Sequence, residues 1–228
     1  MLAAERGVGK TFFALSMACA IAKGDDFLGF PVPRPRKVLY VDGGMDPLDP
    51  LELQQLVRSI LRAAERDGNS KLGLASNYLR LLSHADQERG ILNLTDPDGP
   101  GRDCLTEALG DSEVLVLDHL TVLGPNSNRG SRGNRDVMQW LMDLRRRRKA
   151  VLIVHDADET DWPVLNTVIR LWRPEPGGLV NVEFAKARGF IKPDPFAARM
   201  QFEDGYLRLH REEATSRKGR PDRIRLLD

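Results

Sequence analysis

Apolar and polar positions along this chain come in blocks more than in single alternation. From Pro50 to Asp67 the residues Leu51, Leu53, Leu56, Val57, Ile60 and Leu61 recur at threes and fours with charges between them, which predicts an amphipathic helix. Pro50 suits its start and Gly68 its stop. Thr11–Lys23 is apolar along most of its length and predicts a buried helix. Lys37–Asp42, Tyr78–Ser83, Glu113–Asp118 and Ala150–His155 are short apolar runs, the pattern of strands covered on both faces. A short helix is expected between the turn-rich Asp96–Gly101 and Leu109, and another over Asp136–Arg147. The polar, glycine-rich stretch Gly124–Gly133 reads as a mobile loop. Thr167–Trp172, Leu179–Ala185, Ala198–Phe202 and Tyr206–Leu209 predict later strands joined by Pro/Gly turns.

Strands separated by helices predict an α/β fold with a mostly parallel sheet and helices on both faces. The last strands follow one another without helices, so that edge is expected to be partly antiparallel. Ligands of such folds sit at the carboxyl ends of the strands. Asp42, Asp118 and His155 end three of the runs and are expected to converge on one rim. One domain is expected over residues 1–210, with a charged, flexible tail over 211–228.

Composition narrows this little. The 228 residues, 41% hydrophobic, suit one sizeable α/β domain. With 34 Lys+Arg against 33 Asp+Glu, net charge selects no partner, and nucleic-acid contact would need local basic clusters. Cys19 and Cys104 have no metal-ligand spacing and suit a reduced, cytoplasmic protein. Phe12–Ala22 is too short to span a bilayer, and no secretory signal pattern opens the chain.

The chemistry begins at Ala4-Glu5-Arg6-Gly7-Val8-Gly9-Lys10-Thr11, followed by Phe12 and an apolar helix. A G-x-x-x-x-G-K-[ST] loop wraps backbone N–H groups around phosphate, reaches the β/γ oxygens with its lysine and places a hydroxyl on Mg²⁺. The helix adds its positive end. Gly7, Gly9, Lys10 and Thr11 stand in register, with Ala4 in the first glycine slot. If that slot needed positive φ, alanine would cost about 1 kcal/mol. Only Met1–Ala4 precede the loop, too few for a full central strand. Either an N-terminal segment is missing, the favoured reading, or the fold lacks its first strand. Downstream, Asp118 ends an apolar strand, as the carboxylate that supports Mg²⁺ behind such loops does.

The segments ERGVGKTFFALSMACAIAKG, FLGF, RKVLYVDGGM, VLVLDHLTVL, LRRRRKAVLIVH, NTVIRLWRPE and VEFAKARGF, in this order, resemble the RepA-like branch of RecA-type ATPases. These are plasmid and phage replication helicases and relatives, generally grouped with AAA-family ATPases. The resemblance covers about Leu2 to Leu209. It implies a RecA-like core, ATP and Mg²⁺ as ligands, ring assembly (a hexamer) with ATP between subunits, and single-stranded DNA in the central channel. It implies that Glu5, Arg6, Gly7, Val8, Gly9, Lys10, Thr11 and Phe12 form the nucleotide loop, and that Thr11 and Asp118 serve the metal. His155 matches a histidine that senses the γ-phosphate. Lys186 and Arg188 match a Lys-x-Arg pair that reaches into the neighbour's site as an arginine finger.

Three departures qualify the resemblance. The family's Val-Asp-Gly-Glu-Met, whose glutamate is the candidate base, reads Val41-Asp42-Gly43-Gly44-Met45 here, leaving Asp42 and Asp46 as the nearby carboxylates. The segment after His155 is short and acidic, with Asp156, Asp158, Glu159 and Asp161 expected to repel phosphates in a DNA channel. Asn166 stands where the family often has aspartate. Two readings follow: an ATP-hydrolysing motor or loader on single-stranded DNA, or a degenerate nucleotide-gated binding protein with little or no hydrolysis. A small-molecule kinase fits less well. The four arginines Arg145–Arg148 end a helix and suit its negative end. Arg129, Arg132 and the tail segment Ser216–Asp222 are candidate DNA contacts. Trp140, Trp162 and Trp172 suit packing more than base stacking.

Overall fold

The apolar runs become strands of one sheet. The structure, a computed structural model, describes residues 1–43, 49–66, 77–83, 94, 96, 99–119, 130–156, 164–173 and 179–212. In chain order the strands are β1 (Leu2–Ala4), β2 (Val38–Asp42), β3 (Leu79–Ser83), β4 (Val114–Asp118), β5 (Ala150–Asp156), β6 (Thr167–Trp172), β7 (Leu179–Ala187), β8 (Phe196–Glu203) and β9 (Tyr206–Glu212). The helices are α1 (Lys10–Lys23), α2 (Pro50–Arg66), α3 (Gly101–Leu109) and α4 (Gly130–Arg146). The sheet order is β3-β2-β4-β5-β1-β6-β7-β8-β9. From β3 to β6 every pairing is parallel, and β6 to β9 pair antiparallel, as expected for strands without intervening helices.

Successive strand residues feed opposite faces, which is why the runs lack alternation. Val38, Tyr40, Val114 and Val116 join Phe13, Leu15 and Ala18 of α1 and Leu53, Val57 and Ile60 of α2 in one core. Leu39, Val41, Leu115 and Leu117 join Leu105 of α3 and Val137, Leu141 and Leu144 of α4 in the other. The FLGF segment closes as a small turn between Phe27 and Phe30, and Phe27 meets Phe13 of α1 edge to face.

Three expectations change. A first strand is present: β1 is three residues long, buried throughout, and pairs on both sides, with β5 and β6. Helix α4 starts at Gly130, six residues before Asp136 and inside the stretch expected to be loop. Its buried apolar positions begin only at Val137, so the periodicity marks the packed part and not the first turns. Strand β9 continues to Glu212, across the expected boundary at 210/211, where Arg211 lies over the Phe196 ring at 4.3 Å. Gly44, Met45, Asp46, Asp158, Glu159, Asp161, Trp162, Arg129 and the segment 216–222 lie outside the described residues, as does the Arg132 side chain. No described helix is long and apolar enough to cross a membrane.

Candidate nucleotide-binding site

The loop Glu5–Gly9 leaves the carboxyl end of β1 and runs into α1. Ala4 is the last residue of β1, buried, and its φ is not positive, so the glycine missing from this slot is not needed for backbone freedom. Positive φ occurs at Gly7 (79°) and Gly9 (102°), where the loop turns. Gly9 is the N-cap of α1, no side chain caps the helix, and its first turn holds no acid. The first N–H groups of α1 are thus left to an anion, favoured there by the helix dipole. A Cβ on Gly9 would lie 2.8 Å from Met200 Sδ. Gly9→Ala is therefore expected to strain the backbone and push aside the flexible end of Met200, and so to weaken ATP binding about tenfold or more, measured by calorimetry.

Lys10 is almost fully buried. Its ammonium donates to the carbonyl oxygens of Ala4 (2.8 Å) and Glu5 (3.0 Å) and to Asp156 Oδ1 (2.9 Å). Asp156 also has Arg6 Nε at 3.8 Å. Burial pulls the Asp156 carboxyl upward, but Lys10, His119 and Arg6 outweigh it and hold it below the usual carboxylate range. The expectation that Asp156 belongs to a DNA-facing acidic loop is corrected: it ends β5 and faces the loop lysine.

The strand-end carboxylates converge as expected. Asp42 and Asp118 are register partners, both buried, and Gly43 N–H donates to the Asp118 carbonyl at 2.9 Å. Asp118 Oδ2 accepts from Tyr40 Oη at 2.5 Å, and the Thr11 hydroxyl lies near enough to the same carboxylate to favour its charged form. Burial raises the Asp118 carboxyl above its ordinary value against these groups, and Asp42 adds to the rise. Burial and the adjacent Asp118 likewise push the Tyr40 phenol well up, so it stays a donor. Asp118 Oδ1 is buried and accepts no hydrogen bond among the described residues. An orphaned carboxylate oxygen beside a threonine hydroxyl is a hard-oxygen pair that fits Mg²⁺. His119 follows with φ 62°, a left-handed conformation uncommon outside glycine, and its Nε2 is 3.8 Å from Asp118 Oδ1.

His155 is buried near the end of β5, beside Ala3 of β1, and its Nδ1 accepts the Asp156 N–H at 2.9 Å. With Nδ1 accepting, Nε2 is the ring nitrogen that carries a proton and donates. Lys186 and Arg188 are elsewhere. Lys186 pairs with Val168, and Arg188 N–H donates to the Asn166 carbonyl at 3.0 Å, so both lie where β6 begins. That is the rim opposite to the one from which the loop leaves β1, and there Arg188 lines a cleft of about 580 Å³ with Arg145 and Asn166.

Arg173, which the sequence reading passed over, stands one residue past β6. Its Nη2 would lie 3.7 Å from a Cβ on Gly9, and its Nε is buried with no hydrogen-bond partner among the described residues. The signal was available: Arg173 is the polar residue that ends an apolar run, the criterion that picked out Asp42, Asp118 and His155.

A parallel sheet with the phosphate-loop strand β1 separated from the carboxylate strand β4 by β5 is the RecA-like arrangement of P-loop proteins. The chain belongs to the AAA domain family, whose model matches residues 1–160. Among solved structures it is similar to the flagellar accessory protein FlaH from Methanocaldococcus jannaschii, with a TM-score of 0.59 and 14% identity over 93% of this chain and 88% of that one. At that identity the likeness speaks for the fold. No curated protein matches the chain.

Proposed function

We propose that this chain binds ATP with Mg²⁺ on the Ala4–Phe12 loop and hydrolyses it as a RepA-like motor or loader acting on single-stranded DNA in plasmid or phage replication. The observation that carries the nucleotide site is the nearness of Thr11, in the uncapped first turn of α1, to the buried Asp118 carboxylate, whose Oδ1 has no hydrogen-bond partner among the described residues. Bound Mg²⁺ would supply charge neutralisation on the phosphates. The chain's own residues do the rest: Lys10 and the α1 amides hold phosphate, His155 donates to its terminal oxygens, and Arg173 adds a cation beside Gly9.

The DNA reading rests on the ordered resemblance of the segments from Glu5 to Phe190. Ring assembly is supported by the place of Lys186 and Arg188: at the far rim they do not serve their own loop and suit a neighbour's. A second reading, a nucleotide-gated binding protein, is favoured by Gly44 in the glutamate's position. Asp42, two residues earlier, is the described carboxylate nearest to it in the chain.

Phosphate release with and without single-stranded DNA separates the readings. DNA-stimulated turnover is expected of the motor, tight binding without turnover of the gated protein. Arg188→Ala and Lys10→Ala are each expected to be inactive, and their mixture to regain turnover where an intact loop meets an intact finger. A mixture that stays inactive, or a strict monomer with ATP in mass photometry, removes the ring assignment.

A further inference from the structure

An ammonium group has three N–H donors, and Lys10 has spent all three on Ala4 O, Glu5 O and Asp156 Oδ1. Two of these acceptors are the loop's own backbone, and giving them up would deform the loop. Asp156 is different: it is a side-chain anion on another strand, about a third exposed, and can swing away without unfolding anything. A phosphate oxygen approaching Lys10 seeks the same donor with the same charge.

We propose that Asp156 is an internal competitor for the nucleotide's phosphates, a carboxylate that occupies the loop lysine until β- or γ-phosphate oxygens displace it. This rests on the nucleotide reading of the loop and deepens it, because it says what the incoming anion must replace. The groups facing Asp156 agree. Lys10 and Arg6 both pair with it, so the carboxylate offsets two cations of the loop. The apparent affinity is then the intrinsic affinity reduced by the fraction of molecules in which the pair is open.

The sign of one substitution decides the matter. Asp156→Asn keeps the shape and an acceptor oxygen but removes the charge. Competition predicts that Asp156→Asn binds MgATP, MgADP and base-free tripolyphosphate about tenfold more tightly than the unmodified chain in calorimetry. A residue that only holds Lys10 in place predicts the reverse, weaker binding. Asp156→Ser removes the carboxylate from a smaller side chain and should show the same gain, and circular dichroism with thermal unfolding checks that each variant is folded. Equal or weaker binding in both folded variants overturns the proposal. Turnover lost at unchanged affinity overturns it too, by placing Asp156 in the chemistry instead. Failure of the unmodified chain and the variants alike to bind any of the three probes removes the nucleotide reading itself, and this inference with it.

Discussion

Lys10→Ala is expected to weaken ATP binding by about a hundredfold and to abolish measurable turnover. Lys10 is buried and gives every donor it has to acceptors around the loop. Its loss removes the cation that would meet the β/γ oxygens and frees the Asp156 carboxylate to repel them. It also strips the buried Ala4 carbonyl of a donor, which should lower stability by about 1–3 kcal/mol. Calorimetry, phosphate release and urea unfolding read the three effects. Lys10→Met, which keeps most of the stem volume, should lose binding equally; retained affinity in Lys10→Met would mean that the loop, not the charge, holds the nucleotide.

Asp118→Asn should separate function from stability. The buried carboxylate has one oxygen satisfied by Tyr40 and the other orphaned, and burial disfavours its charged form. An amide keeps an acceptor for Tyr40 while removing that buried charge, so the ligand-free protein should unfold at the same temperature or a few degrees higher. Turnover should fall by about 10²–10³-fold, because Thr11 is left without its carboxylate partner at the metal position. Thermal shifts with ATP alone and with MgATP check this. The extra stabilisation that Mg²⁺ adds to ATP in the unmodified chain should vanish in Asp118→Asn. Its persistence would move the metal away from Asp118.

Much of the fold was legible because strands buried on both faces leave continuous apolar runs, as Val38–Val41 and Val114–Leu117 do. The convergence of Asp42 and Asp118 was legible because both end apolar runs that pair in parallel. Other features were hidden for physical reasons. The start of α4 carries no buried apolar residue before Val137, so no period announces it. Ala4 looked like a defect, but the backbone there is ordinary strand and places no demand for glycine. Asp156 was grouped with its acidic neighbours by composition, although it is the last residue of β5 and faces a lysine 146 positions earlier. Arg173 approaches Gly9 only because β6 lies beside β1, an adjacency that chain order does not announce.

Strand β1 is the seam of the sheet. On one side lie β5, β4, β2 and β3, which carry Asp118 and His155; on the other lie β6 to β9, which carry Lys186 and Arg188. Within the sheet, three residues stitch the two panels together, and the phosphate loop hangs from the end of that stitch. A ligand gripped by the loop therefore pulls on both panels at once. In the ring proposed above, this short strand would be the lever through which one subunit's occupancy tilts the panel it offers to the next.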